Sequence, residues 1–494
     1  MSRIRIPEFM KQIPPEKLEG KRVLSHRGYS IPKDALSHGE LAQIKNALTV
    51  MPAAQQEYSA GIESFPVYYE SPLRIYVPRM WGLKTLGAPD ADIRKEGKPL
   101  LSSLVFQGSL RPPQVEITDN FIKKGKNGII CVPCGWGKTF MSLAIMGKIK
   151  QKTIIVVHKE FLVGQWIGEI NRVYPTARIG RLQADDAEVG DDFDITIAML
   201  QTVAKHEYPE GFFADFGLSI FDECHHLGAA HFSKALMKIQ TKYMLGLSAT
   251  PDRTDGLSKV FGWYIGDMTT RIRAREEDTE VEVRVYNFTT TDEAYTKTDF
   301  DYRGNPIRAR LLNTITEYEP RTRYLVPAVK KAYDEKRKTL ILSDRRDHLL
   351  MWERLLKAAG APDVAFYVGG MKQVALEKSE EAQILLGTYS MAAEGMNIPT
   401  LNTIVLSTPK SNVEQSVGRI LRQKKDERAF NPLIIDILDE PHDCFVSQFR
   451  KRHDYFKKCG YKIRHWNSAG PLDTHSEPLM SNELQLNGSA FIED

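Results

Sequence analysis

Gly128-Ile129-Ile130-Cys131-Val132-Pro133-Cys134-Gly135-Trp136-Gly137-Lys138-Thr139-Phe140 is the stretch on which the fold turns. It reads as a short apolar strand, a glycine-rich turn and a helix start. Gly135 and Gly137 permit a tight turn whose backbone N–H groups point inward. Lys138 adds a mobile positive charge, and Thr139 a hydroxyl in the first helical turn. A helix N-terminus behind such a loop favours anions. Together these groups form a phosphate cradle, with Pro133, Cys134 and Trp136 completing the loop and Thr139 on the magnesium side. Val132 stands where the strict pattern has glycine, so the loop is a variant. The plain alternative is a glycine turn within a buried strand–helix unit, and the rest of the chain decides between the two.

A length of 494 residues leaves room for roughly three domains. Hydrophobic content of 42% and charged content of 26% suit a globular protein. The net charge of +4 is too balanced for wholesale coating of a polyanion, so any nucleic-acid contact must be a local groove. No apolar run approaches the roughly 20 residues that span a bilayer, and Met1-Ser2-Arg3-Ile4-Arg5 lacks the apolar core of a secretory signal. Five cysteines, an odd number, argue for an intracellular, reducing compartment. Cys131 and Cys134 form a CxxC, but no second pair stands at metal spacing, so zinc or redox chemistry is the lesser reading.

The chain divides on paper into 1–100, 101–275, 276–443 and 444–494. In the first part, Pro32 to Val50 has helical spacing, with Leu41, Ile44 and Leu48 on one face. Phe65–Tyr69 and Leu73–Arg79 alternate as a hairpin around Glu70-Ser71-Pro72, with Leu73, Ile75 and Val77 on one face. This part is a small α+β domain with one wet face, or a nucleic-acid platform using Arg74, Tyr76, Arg79 and Trp81. Arg111 and Gln114 open the helix that leads to the loop. A glutamine amide offers a donor and an acceptor side by side, which suits an adenine edge, and Arg111 suits a base or phosphate. A capped helix entry is the plain alternative.

Beyond the loop, Thr153–His158 is a β-branched run of the kind buried on both faces of a parallel sheet. Asp194–Met199, Leu218–His225 and Tyr243–Pro251 are further strands running into polar residues. Strands alternating with helices predict a doubly wound sheet that binds ligands at its carboxyl ends. A charged stretch, Arg271–Glu282, reads as a hinge. A second series follows, with strands at Val283–Phe288, Lys338–Ser343, Val364–Tyr367, Ile384–Gly387, Thr403–Leu406 and Leu433–Ile437. Asp292–Ile315 is polar and irregular, a loop with a helix. Asp443–Cys459 reads as a basic-aromatic helix ended by Gly460. With the stretch to Trp466 it either packs on the second lobe or grips nucleic acid, and residues 467–494 read as loose.

Asp222-Glu223-Cys224-His225 supplies two adjacent carboxylates at a strand end. One suits a magnesium ion, the other an attacking water. Gln415-Ser416-Val417-Gly418-Arg419-Ile420-Leu421-Arg422 puts two arginines three apart, on one helical face. Two such guanidiniums suit charge on a departing phosphoryl group. The plain alternative is a surface helix with two snorkelling arginines.

Over about residues 106–440 these motifs resemble superfamily 2 helicases. The series is Gly135–Thr139, Gln165-Trp166, Ile197–Thr202, Asp222–His225, Ser248–Thr250, Thr388–Pro399 and Gln415–Arg422, in the family's order. Thr250–Gly256 is similar to the branch holding the promoter-opening helicase of transcription and phage recombination helicases. Pro133–Thr139, Ile75–Leu83 and Lys457–Ile463 resemble the transcript-release helicases of poxviruses and other large DNA viruses. The resemblance implies two tandem RecA-like lobes, and ATP and Mg2+ as cofactors. Lys138 would contact phosphates, Thr139 and Asp222 the metal, Glu223 the water, and Arg419 and Arg422 would act as fingers. Gln114 with Arg111 would recognise adenine, and His225 and Gln415 would link the lobes. Ser248 and Thr250 would couple hydrolysis to movement, and Gly395 would lie near nucleotide or strand. Asn397 stands where many relatives have aspartate, which puts coupling there in doubt. Gln165, Gln201, Thr202, Arg345 and Thr388 are the nucleic-acid candidates.

The function implied is an ATP-dependent DNA helicase or translocase in viral transcription or in recombination and repair, on single-stranded or duplex DNA. An RNA or RNA–DNA hybrid helicase is the first rival. A non-catalytic, polymerase-associated scaffold is the second, and the presence of Lys138, Glu223, Arg419 and Arg422 weighs against it. RNA polymerase is a candidate partner, no membrane is expected, and a monomer is. A viral source implies host cytoplasm or nucleus, with packaging in the virion an option.

Overall fold

The computed structural model describes residues 13, 15–52, 64–133, 135–249, 255–272, 277–302, 304–394, 396, 398–423, 425–467 and 470–471. The chain forms two compact units, Met1–Arg273 and Ala274–Asp494. The division falls inside the charged Arg271–Glu282 stretch. Cys134, Thr250–Thr254, Gly395, Asn397 and the tail from 472 lie outside the described residues.

In the first unit, helix α1 (Pro112–Lys123) starts on prolines, which lack the N–H that a first turn leaves unpaired. Strand β1 (Asn127–Cys131) leads into the glycine loop, and α2 (Lys138–Ile149) leaves it. Then come β2 (Thr153–Val157), α3 (Glu160–Val173), β3 (Ile179–Gln183), β4 (Ile195–Met199), β5 (Leu218–Phe221), β6 (Tyr243–Ser248) and β7 (Met268–Arg271). The sheet order is β3-β4-β2-β5-β6-β1-β7, parallel throughout, with Asp186–Ala187 antiparallel on the β3 edge. Every residue of β2 is buried, because helices cover both faces of such a sheet. In register, Ser248 lies opposite Cys131 and Phe221 opposite Val156. The carboxyl ends of β1, β6, β5 and β2 therefore meet along one edge.

The N-terminal segment has its own five-stranded sheet, ordered Tyr69–Glu70, Arg74–Val77, Gly28–Pro32, Val23–Ser25, Ala91–Asp92. Its core of Tyr29, Ile31, Ile75 and Val77 is continuous with Phe261 and Tyr264 beneath the large sheet. Three expectations change here. The helix is only His38–Ala47, because Ser37 and Glu40 form a capping box that starts it, and Thr49–Val50 pairs with Phe65–Pro66 as strand. The hairpin forms, with Tyr69 opposite Tyr76, but Leu73 is 78% exposed. Arg79 and Trp81 are each 1% exposed and form no surface platform. Arg79 instead donates to the carbonyls of Tyr264 and Thr241 at 2.8 Å. Tyr264 lies in the last turn of helix Ser258–Ile265, where carbonyls need outside donors.

The second unit runs β8 (Glu282–Phe288), α4 (Arg308–Glu317), α5 (Glu319–Asp334), β9 (Thr339–Ser343), α6 (Arg346–Ala358), β10 (Val364–Tyr367), β11 (Ile384–Thr388), β12 (Thr403–Leu406), β13 (Leu433–Asp439), α7 (Asp443–Lys458) and β14 (Lys462–Asn467). The order is β10-β11-β9-β12-β13-β8-β14, all parallel. The division at 443/444 is corrected, because β14 adds to this sheet beside β8 and α7 packs on it. Arg452 is 1% exposed and paired to Asp436 at 3.0 Å, with Phe445, Phe449 and Phe456 buried around it. The basic-aromatic stretch is thus largely packed into the second lobe.

Candidate nucleotide-hydrolysis site

The loop after β1 is held open by glycine. Gly135 and Gly137 have φ of 87° and 79°, which side chains disfavour. A Cβ on Gly137 would also lie 2.9 Å from the Gln114 amide nitrogen. Gln114 is buried and acts as a strut. Its Nε2 donates to the Trp136 carbonyl at 2.8 Å, and its Oε1 accepts the Arg111 N–H at 2.9 Å. The Arg111 guanidinium donates to the same Trp136 carbonyl at 3.2 Å and lies 5.9 Å from the Trp136 ring. The residues expected at adenine therefore grip the phosphate loop itself.

Lys138 Nζ lies 2.7 Å from Glu223 Oε1, and each side chain is 12% exposed. Burial opposes charge on Glu223, but the Lys138 ammonium and the His225 ring outweigh it and hold the carboxyl below the usual carboxylate range. Glu223 has φ of 44°, in the left-handed region. For a non-glycine residue that costs about 1 kcal/mol, a strain tolerated chiefly at functional sites. Glu223 Oε2 is buried without a hydrogen bond among the described residues and lies 3.4 Å from His225 Nδ1.

Asp222 is held from two sides. Trp166 Nε1 donates to Oδ2 at 3.0 Å, and the Glu223 N–H donates to Oδ1 at 3.0 Å. Burial, then the neighbouring Glu223 charge, pushes the Asp222 pKa upward. A cation beside it would relieve that penalty. His225 Nδ1 and Ser248 Oγ are 2.9 Å apart, tying the end of β5 to the end of β6. Thr139 and Asp222 are hard oxygen donors, a type that fits Mg2+, which keeps several waters and takes phosphate oxygens. The Cys131 thiol is buried and donates to the Ala249 carbonyl at 3.8 Å, consistent with packing.

The other candidates separate. Exposed Gln201 donates to the His158 carbonyl at 2.6 Å. Thr202 is only 8% exposed, and its hydroxyl accepts the Ala184 N–H at 3.1 Å, so it is a packing residue and not a surface contact. Gln165 is half-buried on α3, one residue before Trp166. In the second unit, Thr388 and Gln415 line one cavity of about 400 Å³ with Asp344 and Lys410. Arg345, next to it, donates to Asn313 Oδ1 at 2.7 Å. Arg419 is 7% exposed and donates to the carbonyls of Ala392 and Met396 at 2.6 and 2.9 Å. Arg422 is half-buried and caps the 3-10 turn Gly418–Leu421 that carries Arg419. Trp166, Asp344 and Lys410 were assigned no role from sequence. Asp344 had a usable signal, since it is the first polar residue after an apolar strand.

A glycine phosphate loop, paired carboxylates on the next-but-one strand and a second parallel-sheet unit define an ATP-hydrolysing enzyme of the RecA-like class. Residues 107–253 match the family model described as "Type III restriction enzyme, res subunit". "Putative ATP-dependent RNA helicase L396" of Acanthamoeba polyphaga mimivirus is 34% identical over 454 residues, covering 90% of this chain and 86% of that protein. "Putative ATP-dependent RNA helicase QP509L" of African swine fever virus is 28% identical over 388 residues, covering 71% of each. The solved "ATP-dependent Type ISP restriction-modification enzyme LlaBIII bound to DNA" shares the fold, with a TM-score of 0.50 and 16% identity over 74% of this chain and 32% of that one. The chain belongs to the superfamily 2 helicases of large DNA viruses, ATP-dependent enzymes that act on nucleic acid.

Proposed function

We propose that this protein is a DNA helicase or translocase that drives movement by ATP hydrolysis, serving viral transcript release or recombination and repair. The observation that carries the chemistry is the buried Lys138–Glu223 pair beside Asp222. Without nucleotide, Lys138 and Glu223 neutralise each other. Incoming phosphates compete for Lys138 and leave the Glu223 carboxylate able to orient and deprotonate the attacking water. Trp166 keeps Asp222 aimed. Mg2+ held by Thr139 and Asp222 would neutralise phosphate charge. Arg422 would supply positive charge to the departing phosphoryl group, while Arg419 holds the carbonyls of Ala392 and Met396. The preference for DNA rests on the sequence resemblance of Pro133–Thr139, Ile75–Leu83 and Lys457–Ile463. The relatives' names favour RNA as the second reading. A monomer working beside RNA polymerase in the infected cell, in cytoplasm or nucleus, belongs to this reading.

Two measurements test it. Glu223→Gln is expected to bind ATP and lose turnover, and unchanged turnover would remove the assigned mechanism. ATPase activity with single-stranded DNA, duplex DNA, RNA and hybrid in parallel is expected to rise most with DNA. Stimulation by RNA alone would move the enzyme to the second reading.

A further inference from the structure

An aromatic hairpin in the second unit has no part in the ATP chemistry. Phe300 bridges Pro306 antiparallel. The Asp301 N–H donates to the Asn305 carbonyl at 2.8 Å, and Asp301 Oδ1 accepts the Asn305 N–H at 2.9 Å. These bonds fasten Asp301 to Asn305 across the hairpin. Yet Phe300 is 59% exposed and Tyr302 88%, and no other Phe, Tyr or Trp among the described residues is classed as exposed. Two exposed aromatic rings on one hairpin mark a contact surface.

The hairpin is fastened to the start of α4. The Ile307 N–H donates to the Asp299 carbonyl at 2.8 Å, and Arg310 pairs with Asp299 at 3.4 Å. Ile307 caps α4 without a side-chain acceptor, and Arg308 and Arg310 are exposed in its first turn. Arg345, just past the carboxyl end of β9, donates to the Ala309 carbonyl at 3.3 Å and so brings α4 to that end of the sheet. The cavity lined by Asp344, Thr388, Lys410 and Gln415 opens there too. Carboxyl ends of parallel strands are where such sheets take ligands.

We propose that the Phe300/Tyr302 hairpin is a base-stacking site for single-stranded nucleic acid, with the strand's phosphates drawn to Arg308, Arg310 and Arg345. The inference rests on the family's action on nucleic acid. Aromatic faces beside guanidiniums are the chemistry of sequence-tolerant single-strand binding. A duplex hides its base faces, so the site takes unpaired bases. An apolar protein partner would make no use of the positive charge of Arg308, Arg310 and Arg345, and the hairpin's own carboxylates are engaged locally: Asp301 with Asn305, Asp299 with Arg310.

The test uses the full chain, the Phe300→Ala/Tyr302→Ala double variant, and Leu350→Ala, which removes an exposed side chain elsewhere in the unit. DNA and RNA single strands carrying 2-aminopurine report stacking. The wild type and Leu350→Ala are expected to quench the probe. The double variant is expected to lose quenching and bind single strands about tenfold or more weakly, with nucleic-acid-free ATPase within about twofold. Arg308→Ala is expected to flatten the slope of log affinity against log salt by about 0.7. Wild-type quenching and affinity in the double variant would overturn the hairpin site alone. So would loss of self-association with strand binding intact, which would assign the rings to a second copy. Wild-type protein that binds no strand would overturn the nucleic-acid reading as well.

Discussion

Trp166 donates its indole N–H to Asp222 from a helix whose previous residue, Gln165, is half-buried. Trp166→Phe keeps the ring and loses the donor. A hydrogen bond to a charged group is worth about 1.5–3 kcal/mol, so half-maximal ATPase is expected to need about tenfold more Mg2+ with kcat little changed. A magnesium titration, with nucleotide binding followed by fluorescence, checks this. Lys138 and Glu223 make a second residue-scale case. Lys138→Ala removes the phosphate contact and also leaves a buried carboxylate without its partner, a loss of about 3–5 kcal/mol. Lys138→Ala/Glu223→Gln is therefore expected to melt higher than Lys138→Ala in nucleotide-free thermal scans. Equal melting would deny the pair its energetic role. Lys138, Asp222 and Glu223 were legible because a glycine loop and an acidic strand end carry their own local signals. Trp166 carries no such local signal, because its partner stands 56 residues away.

Strand β9 and helices α5 and α6 are pinned together by His348. Its Nδ1 lies 3.0 Å from Ser343 Oγ, and its Nε2 3.0 Å from Thr322 Oγ1. Burial, with Arg321 nearby, pushes its pKa down to about 3. The folded ring thus stays neutral where the unfolded one takes a proton. Stability is complete above about pH 6.5 and declines as pH falls toward 3, by at most about 1.4 kcal/mol per pH unit. Thermal scans at pH 7.5 and 5.5 are expected to show a smaller drop for His348→Gln than for wild type. At this scale the second sheet was nearly transparent in sequence. Thr403–Leu406 is a strand at the expected bounds and buried throughout, because doubly covered strands are largely β-branched apolar runs, and Val364–Tyr367 keeps its expected bounds as a partly exposed edge strand. The N-terminal helix was overdrawn because a capping box, not apolar spacing, set its start.

Across the whole molecule, the C-terminal stretch is structural to the second unit. Ending the chain at Glu440 would strip β14 from β8 and leave Asp436 buried without Arg452. Arg452→Ala alone is expected to cost about 3–5 kcal/mol, and the truncation to leave the second unit unfolded by circular dichroism, while nucleotide binding to the first unit persists. A folded truncation product would return the stretch to an accessory role. Linear sequence determined the class of chemistry, the order of the motifs and the alternation of strand and helix, since each is encoded within a few neighbouring residues. Tertiary structure alone decided that Gln114 grips the loop, that Arg79 and Trp81 are core, that Arg419 turns inward and that Phe300 and Tyr302 stand in solvent. Burial and hydrogen-bond partners depend on residues far apart in the chain, and local pattern carries no record of them.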